Sequence, residues 1–207
     1  MRKMILLSVI GLSLAVAPLV SNSIEEHSVD NESSRLVVDM GKNCVISVND
    51  YFKGHFASEM QSNASYWTDR PPGRTSLTKF SVDFVCDNLV DKSKEDIARQ
   101  YGATYDGEHG RWVPYYDSER DSSLLSAFTK VRDLKSVNGR GFYLTQDDRD
   151  GNPAQRERYL AFCIFHDSTA VCGSKPIMYL GDPKGSLLPF VLRILRSVEF
   201  VDTSLRN

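Results

Sequence analysis

Apolar and polar positions alternate with a period of two in several short stretches of this chain and with a helical period in others. Cys44, Ile46 and Val48 alternate with more polar neighbours and, after the run Arg35 to Asp39 and a turn at Met40 to Asn43, predict a strand pair. Phe80, Val82, Phe84 and Cys86 alternate with Lys79, Ser81 and Asp83, the pattern of a half-buried strand. Phe142 to Gln146, Arg158 to Phe165, Ala170 to Gly173 and Ile177 to Leu180 predict further strands, and Val198 to Val201 a short closing one. Helical spacing predicts four helices. Asp50 reads as the cap of the first, which runs to about Gln61 on the stripe Phe52, Phe56 and Met60. Ser93 and Asp96 open the second, which Gly102 ends. Leu124 to Ser136 carries the stripe Leu124, Phe128, Val131 and Leu134. The last follows Ser186, with Pro189 in its first turn, Leu188, Val191 and Leu195 facing inward and Arg193 and Arg196 facing water. Trp67 to Arg74 holds two adjacent prolines and reads as a loop. The sum is an α+β fold: an antiparallel, hairpin-rich sheet of about six or seven strands, with helices packed on one face, including a C-terminal helix.

The N-terminus changes the compartment. Arg2 and Lys3 precede an apolar run from Met4 to Val20, and small residues follow at Ser21 to Ser23, the layout of a secretory signal peptide. The expected organisation is a signal peptide over 1–23, a mobile polar arm over 24–34 and one α+β domain over 35–207. The protein is then periplasmic or secreted, with no stable membrane span after processing.

In an oxidising space Cys44, Cys86, Cys163 and Cys172 predict two disulfides. A hairpin centred on Asp167-Ser168 sets Phe165 opposite Ala170 and Cys163 opposite Cys172, at a pair where the strands come close enough for a bridge. Cys44 and Cys86 are left as the second pair, both on core-facing alternations. The spacing is wrong for a zinc knuckle.

Composition narrows the function class. Hydrophobic residues make up 41% and charged residues 25%, an ordinary globular balance. Net charge is −2 with no basic block, which argues against a nucleic-acid partner. No metalloprotease, nucleophile-elbow or phosphate-loop motif is present, and His27, His55, His109 and His166 are scattered. Asp148, Asp150, Gly151 and Glu157 fall on calcium-loop positions 3, 5, 6 and 12, but Gln146 and Pro153 break the pattern, and a charged hairpin loop is the preferred reading. No catalytic residue, metal or cofactor is assigned.

Aromatics cluster in a Gly- and charge-rich stretch that includes Tyr101 and Tyr105. Trp112, Tyr115 and Tyr116 beside Asp117 and Glu119 form the candidate partner-binding surface, aromatic anchors with an acidic rim. The expected function is an exported interaction protein that binds, and inhibits, an envelope enzyme or toxin in the manner of an immunity protein. The alternatives are an envelope hydrolase or secreted effector with a dispersed active site, and a cell-wall or small-ligand binding module. No family is recognised. The element order of roughly the last 80 residues is similar to the small α/β/α domains of the PsbP type, a resemblance that implies nothing about chemistry.

Overall fold

The computed structural model describes residues 34–202, so the expected signal peptide and nearly all of the expected arm lie outside the described residues. Strands β1 (Arg35–Asp39) and β2 (Val45–Asn49) form the expected pair, with Val38 opposite Ile46. After them come β3 (His55–Met60), β4 (Asn63–Thr68), β5 (Phe80–Asn88), helix α1 (Lys94–Gln100), β6 (Ala103–Asp106) and β7 (Arg111–Pro114). The chain continues through α2 (Glu119–Leu125), β8 (Thr129–Lys135), β9 (Arg140–Asp147), β10 (Glu157–His166), β11 (Thr169–Tyr179), α3 (Leu188–Ser197) and β12 (Glu199–Phe200). Seven strands pair antiparallel in the order β3-β4-β5-β11-β10-β9-β8, beside a three-stranded sheet β1-β2-β12 and the hairpin β6-β7. The fold is α+β and ends, as expected, on a C-terminal helix and a short strand.

Both faces of the large sheet are covered. On one, Phe80, Val82, Phe84, Leu160, Phe162 and Ile164 pack against Ile46 and Val48 of the small sheet and Val191, Ile194 and Leu195 of α3. Arg193 and Arg196 on the opposite side of α3 are exposed. On the other face Phe142, Leu144, Cys163 and Phe165 pack under Ile97 and Ala98 of α1 and Trp112 of β7. Covering helices therefore lie on two faces, where the sequence pattern indicated one.

The expected helix from Asp50 is a turn followed by β3. Asp50 caps no helix; its Oδ1 accepts the Gly54 N–H at 2.7 Å, and Lys53 takes a φ of 53° to close the turn. Gly54 lies so near the Tyr66 ring that a Cβ there would sit 2.5 Å from it, an approach only glycine permits. Phe56 then points into the first core while His55 and Ala57 stay exposed, the alternation of a strand.

The expected helix over 124–136 is also corrected. Helix α2 begins earlier, at a Ser118 cap, and Thr129–Lys135 is strand β8, paired with β9 along its length. Val131 packs toward the second core and Leu134 lies in the first, so their helix-like spacing comes from a strand with apolar neighbours on both faces. Helix α1 is as expected: Ser93 Oγ accepts from Asp96 N–H, and Gly102 follows the helix at a φ of +79°.

Both expected disulfides are present. Strands β10 and β11 pair Cys163 with Cys172, Ile164 with Val171 and Phe165 with Ala170, the register expected for the 167–168 turn. Cys44–Cys86 ties the entry to β2, and with it the small sheet, to β5 of the large one. Two disulfides fit an oxidising compartment. Among the described residues no helix is long and apolar enough to cross a membrane.

Candidate functional site

The second face of the sheet carries a broad cleft. Trp112 projects from β7 onto the sheet, 4.8 Å from the ring centre of Phe142 and stacked 5.8 Å from Phe165. Tyr105, its cross-strand partner in the hairpin, meets it edge-on at 5.2 Å. Only 8% of Trp112 is exposed, against 50% of Tyr105. Beside them opens a groove of about 750 Å³, bounded by the start of α1, the hairpin and the β8-β9 pair. A second cleft of about 420 Å³ shares Trp112 and Asp133 and runs on between β7 and residues 131–133 of β8.

The charges around this groove are mainly cations. Lys94 Nζ lies 4.9 Å from the Phe165 ring centre and 5.7 Å from that of Trp112, a cation held over aromatic faces. Lys135 and Arg140 stand directly opposite each other across β8 and β9. Like charges in that position repel. Of the two carboxylates in the lining, Glu95 is engaged by Arg99 at 3.4 Å and by the Thr104 hydroxyl. Asp133 has no ion-pair partner among the described residues. Concave shape, an aromatic floor and convergent charged groups are the ordinary attributes of a binding site.

No family model matches the chain, and no curated protein matches it. The site has to be read from its own chemistry.

The five residues expected to form one partner-binding surface are not gathered in this groove; Trp112 alone lines it. Tyr115 lies past the end of β7, where its N–H bonds to Gly102 O and its ring sits under the Arg99 guanidinium at 5.1 Å. Tyr116 is half-buried, and its hydroxyl is enclosed with no hydrogen-bond partner among the described residues. Asp117 and Glu119 are exposed around the Ser118 cap of α2. Lys94, Lys135 and Arg140 carried no signal in the sequence, because 46 positions of chain separate the first from the last and only strand pairing and the lie of α1 bring them together.

Elsewhere, polar pairs are explained by structure. The Lys175 ammonium donates to Ser81 Oγ at 2.7 Å and to the Ser81 carbonyl, beyond the point where the β5-β11 ladder ends at Cys172–Val85. It therefore satisfies a carbonyl that has lost its strand partner. Burial pushes its pKa below the ordinary lysine value, partly opposed by Asp83. His109 Nδ1 meets Asp106 at 2.7 Å at the exposed tip of the hairpin. In the loop between β9 and β10, Asp148 accepts from the Asp150 N–H at 3.2 Å. At the base of that loop Arg158 of β10 donates from Nε and one terminal nitrogen to the two carboxylate oxygens of Asp147, its cross-strand partner on β9. Among the described residues no three His, Cys, Asp or Glu side chains converge as a metal site.

Proposed function

We propose that this protein works by recognition: it is exported to the periplasm or beyond, and it holds a partner of the cell envelope in the groove over Trp112, as an inhibitor or immunity protein does. The observation that carries this reading is the groove itself, a cleft of about 750 Å³ with Trp112 and Tyr105 on its wall and the cations Lys94, Lys135 and Arg140 at its mouth. Aromatic anchors in a concave patch concentrate binding energy, and charged groups around them select the partner. The two disulfides suit such a role in an oxidising space.

The test is site-specific cross-linking in the native envelope. A photoreactive residue in place of Tyr105 should form a discrete adduct with one protein, and the same residue in place of Arg196, on the exposed side of α3, should not. Equal labelling from both positions, or from neither, removes the groove as a recognition site. Fractionation of the source cells with an antibody to the chain tests export: a cytoplasmic pool of full-length protein counts against it.

A further inference from the structure

The groove has an edge as well as a floor. Strand β8 is the last strand of the large sheet, and its outer side pairs with no strand among the described residues. Both clefts run along it, one bounded by residues 133–135 and the other by residues 131–133. Cations border this strip from four elements: Lys94 on α1, Arg111 on β7, Lys130, Arg132 and Lys135 on β8, and Arg140 on β9. Among the described residues none of the six has an ion-pair partner. The opposing acids are Asp133, a Glu95 already held by Arg99, and Asp106, which stands across the hairpin from Arg111 but is engaged by His109. A chain of net charge −2 thus concentrates positive charge at one sheet edge.

Charged side chains on an edge strand commonly guard it against pairing with other chains. That role accounts for Lys130 and Arg132. It does not account for Lys94 over the Phe165 ring, nor for Lys135 and Arg140 placed face to face at the mouth of an aromatic-walled cleft. Two cations opposite each other are relieved by an anion between them, and arginine matches a carboxylate with two parallel hydrogen bonds.

Resting on the recognition reading above, we infer that the partner presents an extended acidic segment, which adds as a strand to the free edge of β8, sets a carboxylate between Lys135 and Arg140, and lays an apolar side chain in the groove beside Trp112. Strand addition takes its affinity from backbone hydrogen bonds and its selectivity from alternate side chains. The alternation of a strand sends one set of side chains toward the groove and the other toward Lys130 and Arg132.

Titration calorimetry on the mature chain decides the matter, with a short synthetic peptide that alternates glutamate and valine and carries one phenylalanine. This peptide should bind, and raised salt should weaken it. The double variant Lys135→Gln with Arg140→Gln should weaken it by roughly tenfold. A lysine-for-glutamate version should not bind. A version with alternate backbone nitrogens methylated, which cannot complete a ladder, should lose affinity by a similar factor. Equal binding of the lysine version, or no effect of the double variant, overturns the acidic segment. Equal binding of the methylated version overturns strand addition, and binding of an oligogalacturonate in place of any peptide moves the ligand to another class. A cross-linked partner at Tyr105 that does not compete with the peptide sinks this inference and leaves the recognition reading standing; the absence of any adduct sinks both.

Discussion

The Tyr66 hydroxyl donates a 2.8 Å hydrogen bond to Asp50, whose same oxygen also receives the Gly54 N–H. Tyr66 is fully buried, and burial followed by the nearby carboxylate holds its phenol well above the ordinary tyrosine value. One carboxylate thus closes the turn into β3 and satisfies a buried hydroxyl in β4. Tyr66→Phe should cost about 1.5–3 kcal/mol in urea unfolding, the worth of a hydrogen bond to a charged acceptor. Gly54→Ala should cost more, because its Cβ would meet both the Tyr66 ring and the Trp67 carbonyl at about van der Waals overlap, 2.5 and 2.6 Å. Two variants as stable as the parent would show that this turn is not anchored as described.

The disulfides differ in reach and in exposure. Partial reduction should open Cys44–Cys86 first, since Cys86 is partly exposed while Cys163 and Cys172 are fully buried. With a sequence separation of 42 against 9, its loss should also cost more through loop closure, about 4 kcal/mol against about 2.7. Peptide mapping after limited reduction, paired with unfolding curves, reads both. A link between Cys44 and Cys163, or the opposite order of opening, counts against the pairing.

Lys175 makes stability depend on alkaline pH. Its folded pKa lies below the ordinary 10.5, so between the two values the unfolded chain binds a proton that the folded chain does not. Stability therefore rises with pH through that window and levels off above it, the penalty of a buried ammonium being full at lower pH. Unfolding free energies of the parent and Lys175→Met, taken across the alkaline range, should converge on each other or cross as pH climbs. Parallel curves would mean that the amino group is not held down by burial.

Trp112 belongs to the core and to the groove at once, so its truncation cannot report on binding alone. Trp112→Ala should destabilise the protein by roughly 3–5 kcal/mol. Replacing Lys135 and Arg140 by glutamine should leave the melting temperature unchanged or raise it slightly, because an opposed pair of like charges is lost. Thermal melts of the three proteins separate the roles. A Trp112→Ala protein that melts with the parent would show that the hairpin is not pinned through this ring.

The elements legible in the sequence were those whose pattern has one cause. Strand β5 has a buried face and a polar one, and α3 has a single apolar stripe, so each declares its period. The β10-β11 turn fixes its own register, and the Cys163–Cys172 pairing follows from it. The two misread helices fail for opposite reasons. In β8, apolar residues answer two cores on opposite faces, and Val131 and Leu134 fall three apart as they would on a helix. At Asp50 a capping residue is present, but a tertiary partner, Tyr66, takes its carboxylate. The candidate site was half visible: Trp112 and Tyr105 stand out by residue type, whereas Lys94, Lys135 and Arg140 are ordinary surface cations until three separate elements bring them to one cleft.

Strands β1 and β12 flank β2 and both run antiparallel to it, so they run parallel to each other. Ser34 leads into one end of that sheet, while Val201 leaves at the other, its N–H bonded to Val45 O at 2.9 Å. A force that draws residues 34 and 202 apart would slide the two outer strands in opposite directions along β2. The ladder hydrogen bonds lie across the strands, and so they would bear the load together rather than open one by one. The small sheet is in effect a mechanical clasp across both ends of the described chain, with Arg35 and Glu199 paired at 2.9 Å as part of its fastening.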